Sequence, residues 1–462
     1  MPSRTDVAKL LAESQAGTMA GLRAHVSPAM ARLLTLTGFD RRFVRGEGPY
    51  LWDEDGTQIL DCLAGFGALL LGRGHPRVLD AVRQCVEIDP PAWIRFSPNG
   101  LAIAAARLLK ESSGRPDDRV YFANSGTEAV EAAIKLARRH TGRSGIVGWD
   151  DSFHGFTFGS LSASGNPDLA AGFGDMLPGC RSVPFGDLAA MERELSARSV
   201  AAVIVEPVQG KTLRSLAPGR LSELHAMCRA HGTLLIADEV QSGLGRTGSF
   251  LACAADGVEP ELVVLSKGMS GGYVPVGAVL ARADVWESTF SSMERAFVHS
   301  STNHEGPLAM VATVAALESI AEERLVEHAA RQGGLLVERL RRELAGCPAV
   351  REVRGRGLMI GIEVRVEEIP SVRGLPVFTR YAEPMVGQAL VMDLFRRERV
   401  LSQVTGARRP VLKLLPPMVI GEPEVAWICS AVPQALARLS GGSVFSAMAS
   451  GALSLARAAL GP

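Results

Sequence analysis

An imbalance of charge is missing from this chain. Lysine plus arginine and aspartate plus glutamate each number 49 over 462 residues, so no general attraction to nucleic acid or to an anionic membrane is expected. Paired cysteines are missing as well. The seven present, Cys62, Cys85, Cys180, Cys228, Cys253, Cys347 and Cys429, are odd in number, scattered, and without C-x-x-C spacing. That points to a reducing compartment and against a zinc site, and no metal is expected. The opening "MPSRTDVAKLLAESQAG" lacks the apolar core and cleavage pattern of a secretory signal, so the expected location is cytoplasmic. Nor does the end supply a membrane span. "GGSVFSAMASGALSLARAALGP" is interrupted by Gly and Ser and reads as a hinge and a small-residue helix for packing or dimer contact.

What is present is an ordinary globular balance, 47% hydrophobic and 21% charged residues, in a chain long enough for a large domain and a smaller one. Short apolar runs, "RVYFAN", "SGIVGW", "AAVIVEP", "TLLIADEV" and "ELVVLSK", alternate with amphipathic or Ala-rich segments. This alternation predicts an α/β fold with a mostly parallel sheet covered by helices. Near Gly306 the pattern changes to a long helical stretch, and then to the short strands "VREVRGRGLMIGIEV" and "VLKLLPPMVI". The expected division is an N-terminal segment, 1–60, packing with the small domain; a large domain, 61–310; and a C-terminal small domain with a terminal helix, 311–462. "YLWDEDGTQILDC" has the look of a hairpin.

Four features lie at strand ends. In "FANSGTEAVEAAIKLARRHTGR", Ser125 and Glu128 have capping-box spacing, and Val130, Ala133, Ile134 and Ala137 follow on one helical face. Gly126 permits close backbone approach, Ser125 and Thr127 add hydroxyls, and the free N–H groups of a helix start favour an anion. In "DSFHGFTFGSLSASG", Phe153 precedes His154 and could stack on a flat ring. Asp238 closes the apolar run of "TLLIADEVQSGLGRTG", and Glu206 ends another strand in "VIVEPVQG". Ligands bind outside such carboxyl ends in open parallel sheets, and a carboxylate buried there needs a positive partner. Lys267, after "VVLS", would lose hydration and become an amine able to form an imine with a carbonyl compound. Phosphate anchoring, ring stacking, a carboxylate for a protonated ring nitrogen and a lysine for an aldehyde are what pyridoxal phosphate requires.

The ordered set "NSGTEAVEAAIKLAR", "FHG", "VEPVQG", "LLIADEVQSGLGRTG" and "LSKGMSGG" resembles the class III pyridoxal-phosphate aminotransferases, the ornithine, acetylornithine and putrescine aminotransferase group. The likeness runs from "GPYLWDEDG" and "GRGHP" to "LKLLPPMVI". It implies fold type I: a large domain on a mostly parallel seven-stranded sheet, a smaller α+β C-terminal domain, and a homodimer with active sites at the subunit boundary. It implies pyridoxal 5′-phosphate and a ping-pong transfer of an amino group between an amine or amino acid and an aldehyde or keto acid. Lys267 would carry the cofactor and shuttle the proton, and Asp238 would bind the ring nitrogen. Phe153 and Val240 would sandwich the ring, with Gln241 at its phenolic oxygen. His154 and Glu206 fall in the same motifs and count among the cofactor contacts. Ser125, Gly126 and Thr127 would hold the phosphate, joined by Thr302 of the neighbouring subunit, although Asn303 and His304 follow it where the family has an aromatic. His304 is read as a polar loop residue.

Departures from the family pattern bear on substrate. Where members that handle ornithine-like substrates have an arginine after F-H-G, a glutamate after the E-P-[IV]-Q-G motif and an arginine before the late P-P, this chain has Phe156, Lys211 and Lys413. Phe66 stands where the family has a tyrosine. Lysine lacks the bidentate fork of arginine, and Lys211 cannot mask Lys413 because like charges do not pair. The resulting expectation is an apolar amine or aldehyde of a biosynthetic pathway, lined by Phe66 and Phe156, with an amino acid as the other partner at Lys413. The alternatives are an ornithine- or diamine-type ω-aminotransferase using 2-oxoglutarate and a 2,1-aminomutase.

Overall fold

The computed structural model of the chain describes residues 6–15, 17–92, 97–369, 379–406 and 409–440. The closing segment read as a hinge and small-residue helix lies outside the described residues.

The centre is a seven-stranded sheet in the order Arg119–Ala123, Gly277–Ala281, Leu262–Leu265, Leu234–Asp238, Val200–Val205, Gly145–Trp149, Cys180–Val183. The last five pair in parallel, whereas Gly277–Ala281 runs antiparallel to both its neighbours. Every residue of Val200–Val205, Leu234–Asp238 and Leu262–Leu265 is buried, because helices cover both faces, and such strands must be continuous apolar runs. The five strands expected from the sequence are present; Cys180–Val183 and Gly277–Ala281 complete the sheet.

The helix Gly126–Thr141 lies on this sheet with Ala129, Val130, Ala132, Ala133, Ile134, Leu136 and Ala137 buried. Its small side chains let the backbone approach the strands closely. The predicted cap forms with one change. Ser125 Oγ accepts from Glu128 N–H at 3.3 Å, but the Glu128 carboxylate reaches Asn124 N–H at 2.6 Å, one residue before the cap.

Two smaller sheets flank the centre. Phe43–Glu47, Tyr50–Asp53 and Gln58–Asp61 form an antiparallel set that Val400–Leu401 joins in parallel, so the N-terminal strands share a sheet with the C-terminal chain. Val350–Arg356, Met359–Val364, Val411–Leu414 and Gln403–Thr405 form the other. The long helical stretch is two helices, Pro307–Glu322 and Leu325–Glu343, broken at Arg324 with φ 50°. The boundary drawn at 310 falls inside the first of these, which packs against Pro76–Ile88 and Gly100–Ser113. No described helix is long and apolar enough to cross a membrane.

Candidate active site

Three adjacent parallel strands deliver carboxylates and the lysine to one edge of the sheet. Val200–Val205 ends at Glu206, Leu234–Asp238 ends in Asp238 itself, and Leu262–Leu265 runs through Ser266 into Lys267. Asp238 is fixed from two sides. Its Oδ1 accepts Val240 N–H at 3.0 Å, and its Oδ2 lies 2.6 Å from His154 Nδ1 in a fully buried contact. Burial opposes a charge on His154, yet the Asp238 bond and charge, with Glu206 behind them, outweigh it and raise the imidazole pKa. Glu206 accepts N–H groups from Phe153 at 2.9 Å and Gly210 at 2.7 Å; burial raises its pKa.

Lys267 takes a left-handed φ of 44° at the start of a single helical turn. Burial lowers its ammonium pKa against the pull of Asp238 and Glu206, and among the described residues its Nζ has no hydrogen bond or ion pair. A desolvated amine without a partner is a nucleophile in waiting.

Across the sheet end stands the start of the helix Gly126–Thr141. The N–H groups of Gly126 and Thr127 come too early in the helix to find an acceptor within it. A Cβ at Gly126 would sit 3.1 Å from Val240 Cγ1 and 3.3 Å from Ser266 Cβ, so the absent side chain keeps this cradle open toward both strands. The residues present therefore fit a flat aldehyde carrying a phosphate. There is an anion cradle, a carboxylate pinned by a buried histidine, and an unpartnered amine.

The other expected residues are placed with differences. Phe153 is half-buried, and its ring meets Phe156 edge-on at 5.0 Å. Val240 packs over Gly126. The Thr127 hydroxyl joins Thr157 and Ser160, 2.7 Å from each, in a cluster that leans on Glu131. Nothing in the spacing of "FTFGS" shows that these hydroxyls converge. Gln241 donates to the Phe66 carbonyl at 2.8 Å, and its Oε1 accepts from Lys413 Nζ, also at 2.8 Å. Lys413, expected to offer a loose carboxylate contact, is 4% exposed and turns to Gln241 and the Gly210 carbonyl. Burial, with repulsion from Lys267, takes its pKa down to about 7. Lys211 pairs instead with Asp151 at 3.7 Å. Phe66 and Phe156 present exposed rings, 52% and 68%. Thr302 is exposed beside Ser301, whose hydroxyl accepts from Asn124 Nδ2 at 2.8 Å. His304 does lie in a loop but is buried, its ring 5.6 Å from that of Tyr121.

Comparison with known proteins adds one family match, two relatives and two solved structures. A family model described as aminotransferase class-III matches residues 37–436. Acetylornithine aminotransferase of Methanopyrus kandleri is 43% identical over 338 residues, 72% of this chain and 83% of that protein. Aminotransferase PigE of a Serratia species is 39% identical over 341 residues, 73% of this chain but only 40% of that longer protein. Among solved structures, the ornithine aminotransferase of Toxoplasma gondii superposes with a TM-score of 0.83 at 30% identity, covering 95% of this chain and 99% of its own. An amine transaminase from an uncultivated Pseudomonas species, solved in its PLP-bound form, gives 0.76 at 27% identity over 86% of this chain and 95% of its own.

Proposed function

The chain belongs to the class-III aminotransferases, enzymes of fold type I whose cofactor is pyridoxal 5′-phosphate, and from that premise we propose that it aminates an apolar aldehyde of a biosynthetic pathway. The cofactor, when bound, supplies an electron sink through which an amino group leaves one small molecule and joins another.

The chain's own residues divide the remaining work. Ser125, Gly126 and Thr127 would hold the phosphate at the helix start, with Thr302 of a second subunit completing the cradle. Phe153 and Val240 would enclose the ring. Asp238 would meet the ring nitrogen, with His154 fixing its orientation through the 2.6 Å contact and Glu206 adding negative charge nearby. Lys267 Nζ would be the covalent anchor and then the group that carries a proton from one carbon to another, and its burial, which lowers the ammonium pKa, favours that role.

The observation that carries the substrate reading is that neither lysine standing in the family's gate is free to grip a carboxylate. Lys211 pairs with Asp151, and Lys413 points at two oxygen acceptors. Exposed rings of Phe66 and Phe156 offer apolar surface instead. Balanced charge and unpaired cysteines support a cytoplasmic enzyme, and the resemblance supports a homodimer with shared sites. A second reading, an ornithine-type ω-aminotransferase, is favoured by the names of the relatives.

Colour and rate decide between them. A donor amine should bleach the holoenzyme, and a separate carbonyl compound should restore its colour; recovery without a second substrate would indicate a mutase. The ratio of kcat/KM for an alkyl aldehyde to that for glutamate semialdehyde is expected to exceed one. A strong preference for the semialdehyde sinks the apolar reading in favour of the second.

A further inference from the structure

The side chain of Lys413 is the start of a chain of hydrogen bonds that ends on the backbone of Phe66. Its Nζ donates to the Gly210 carbonyl and to Gln241 Oε1, and Gln241 Nε2 donates to the Phe66 carbonyl. The orientation of the Gln241 amide is chemically forced. A lysine amine facing it donates and a carbonyl only accepts, so the oxygen must face Lys413 and the nitrogen Phe66. One amide hydrogen of Gln241 is left over, and it could serve the phenolic oxygen that the resemblance assigns to this residue.

The far end of this chain is a segment that needs holding. Ala64, Gly65, Phe66 and Gly67 all have positive φ, at 48°, 60°, 58° and 90°, and for a bulky residue such as Phe66 that conformation is uphill. The near end is equally constrained: a Cβ on Gly210 would lie 2.9 Å from both Gln241 Oε1 and Glu206 Oε2, so a bare glycine is what brings its carbonyl to the lysine.

We propose that Lys413 is a positioning residue of the acceptor pocket, a latch that works through Gln241 to hold Phe66 in its left-handed turn and so sets the apolar lip that measures the alkyl chain of the substrate. The proposal rests on the apolar-aldehyde reading of the site and explains how a buried lysine serves it without touching substrate. A neutral amine has a hydrogen for each of the two acceptors, so the latch does not need the charge. The charged groups facing Lys413 are Lys267, Glu206 and Arg246, each from a different element.

Hydrogen exchange in the cofactor-loaded enzyme tests the latch without turnover. Lys413→Met should speed exchange of the amides in 64–69 by about 10-fold while the strand Val411–Leu414 stays as protected as before. Unchanged exchange at 64–69, or equal acceleration throughout, overturns the latch. Kinetics separate latch from clamp. The rise of kcat/KM with alkyl chain length should flatten in Lys413→Met and in Phe66→Ala, and the double variant should be no flatter than either; additive losses count against the proposal. In the wild type, the ratio of kcat/KM for an alkyl 2-oxo acid to that for the aldehyde of equal length should stay within about twofold from roughly pH 6 to 9. A fall of about tenfold above pH 7 marks a charged carboxylate clamp and overturns the latch. Failure of every alkyl carbonyl to turn over ends the substrate reading, and the exchange result still decides the latch.

Discussion

Lys267 combines three local costs: a left-handed φ of 44°, loss of hydration, and an amine without a partner among the described residues. Such features persist where the surroundings enforce them, and here the fixed strand Leu262–Leu265 on one side and Ser266, bonded to the Val276 carbonyl at 2.7 Å, do so. Lys267→Ala is expected to remain folded and to bind the cofactor through the cradle and Asp238, while turnover falls by at least about 10³-fold and the visible band of the amine-linked cofactor disappears. Absorption spectra and single-turnover assays check both, and substantial transamination by the variant would falsify the role. Lys413 gives a stability prediction of definite sign. Its folded pKa of about 7 lies below the ordinary 10.5, so between those values the unfolded chain binds more protons than the folded one and stability rises with pH. Below about 7 both states carry the proton and the penalty of the buried charge is fully present. The difference in Tm between wild type and Lys413→Met should therefore shift in favour of the wild type as pH climbs from about 7 to 10. A pH-independent difference, measured by thermal denaturation in matched buffers, would show that burial of Lys413 does not govern its titration.

Among the elements, the helix Gly126–Thr141 has two tasks at one end. Its Ser125 cap stabilises the helix, and the same turn presents the N–H groups that favour an anion. Ser125→Ala should lower apoenzyme stability by about 1 kcal/mol in urea denaturation and should also raise the Kd for the cofactor. A stability loss with unchanged cofactor affinity would confine Ser125 to capping. The strand ends are legible in the sequence for a physical reason. A parallel strand covered on both faces must be an unbroken apolar run, so the polar residues that close it, Asp238 in one strand and Ser266 followed by Lys267 after the next, mark the sheet edge. The strand Gly277–Ala281 shows its apolar pattern but not its direction, because antiparallel insertion leaves no trace in composition. Contacts between distant elements are hidden more completely. His154 meets Asp238 across 84 residues, and Lys413 meets Gln241 across 172. The first is a motif histidine whose partner only folding reveals. The second reverses an expectation, since a lysine read as a substrate contact is consumed by two internal acceptors.

At the scale of the whole molecule, the large sheet and the C-terminal chain are stitched together at buried polar points. Arg246, fully buried, donates to the carbonyls of Leu358 and Pro416, and the parallel pairing of Val400–Leu401 with Gln58–Asp61 ties the N-terminal strands to the same region. The site thus depends on chain that is distant in sequence, and the resemblance extends that dependence to a second subunit through Thr302. The loop carrying Thr302 is anchored within its own chain, since Asn124 binds Ser301 and Tyr121 lies against the rings of His299 and His304. This fixes where the loop is held but not whose phosphate it serves, and complementation separates the two. Lys267→Ala lacks the amine, and Thr302→Glu sets a negative charge against the phosphate, so each homodimer should be inactive. If Thr302 acts across the boundary, a mixed dimer places the intact Lys267 of one subunit opposite the intact Thr302 of the other, restoring one of two sites. Random pairing makes half of the dimers mixed, so co-expression should recover about a quarter of wild-type activity. If Thr302 serves its own subunit, every site in the mixture carries one lesion and no activity returns. Recovery near one quarter establishes the shared site, and none assigns the cradle to a single chain.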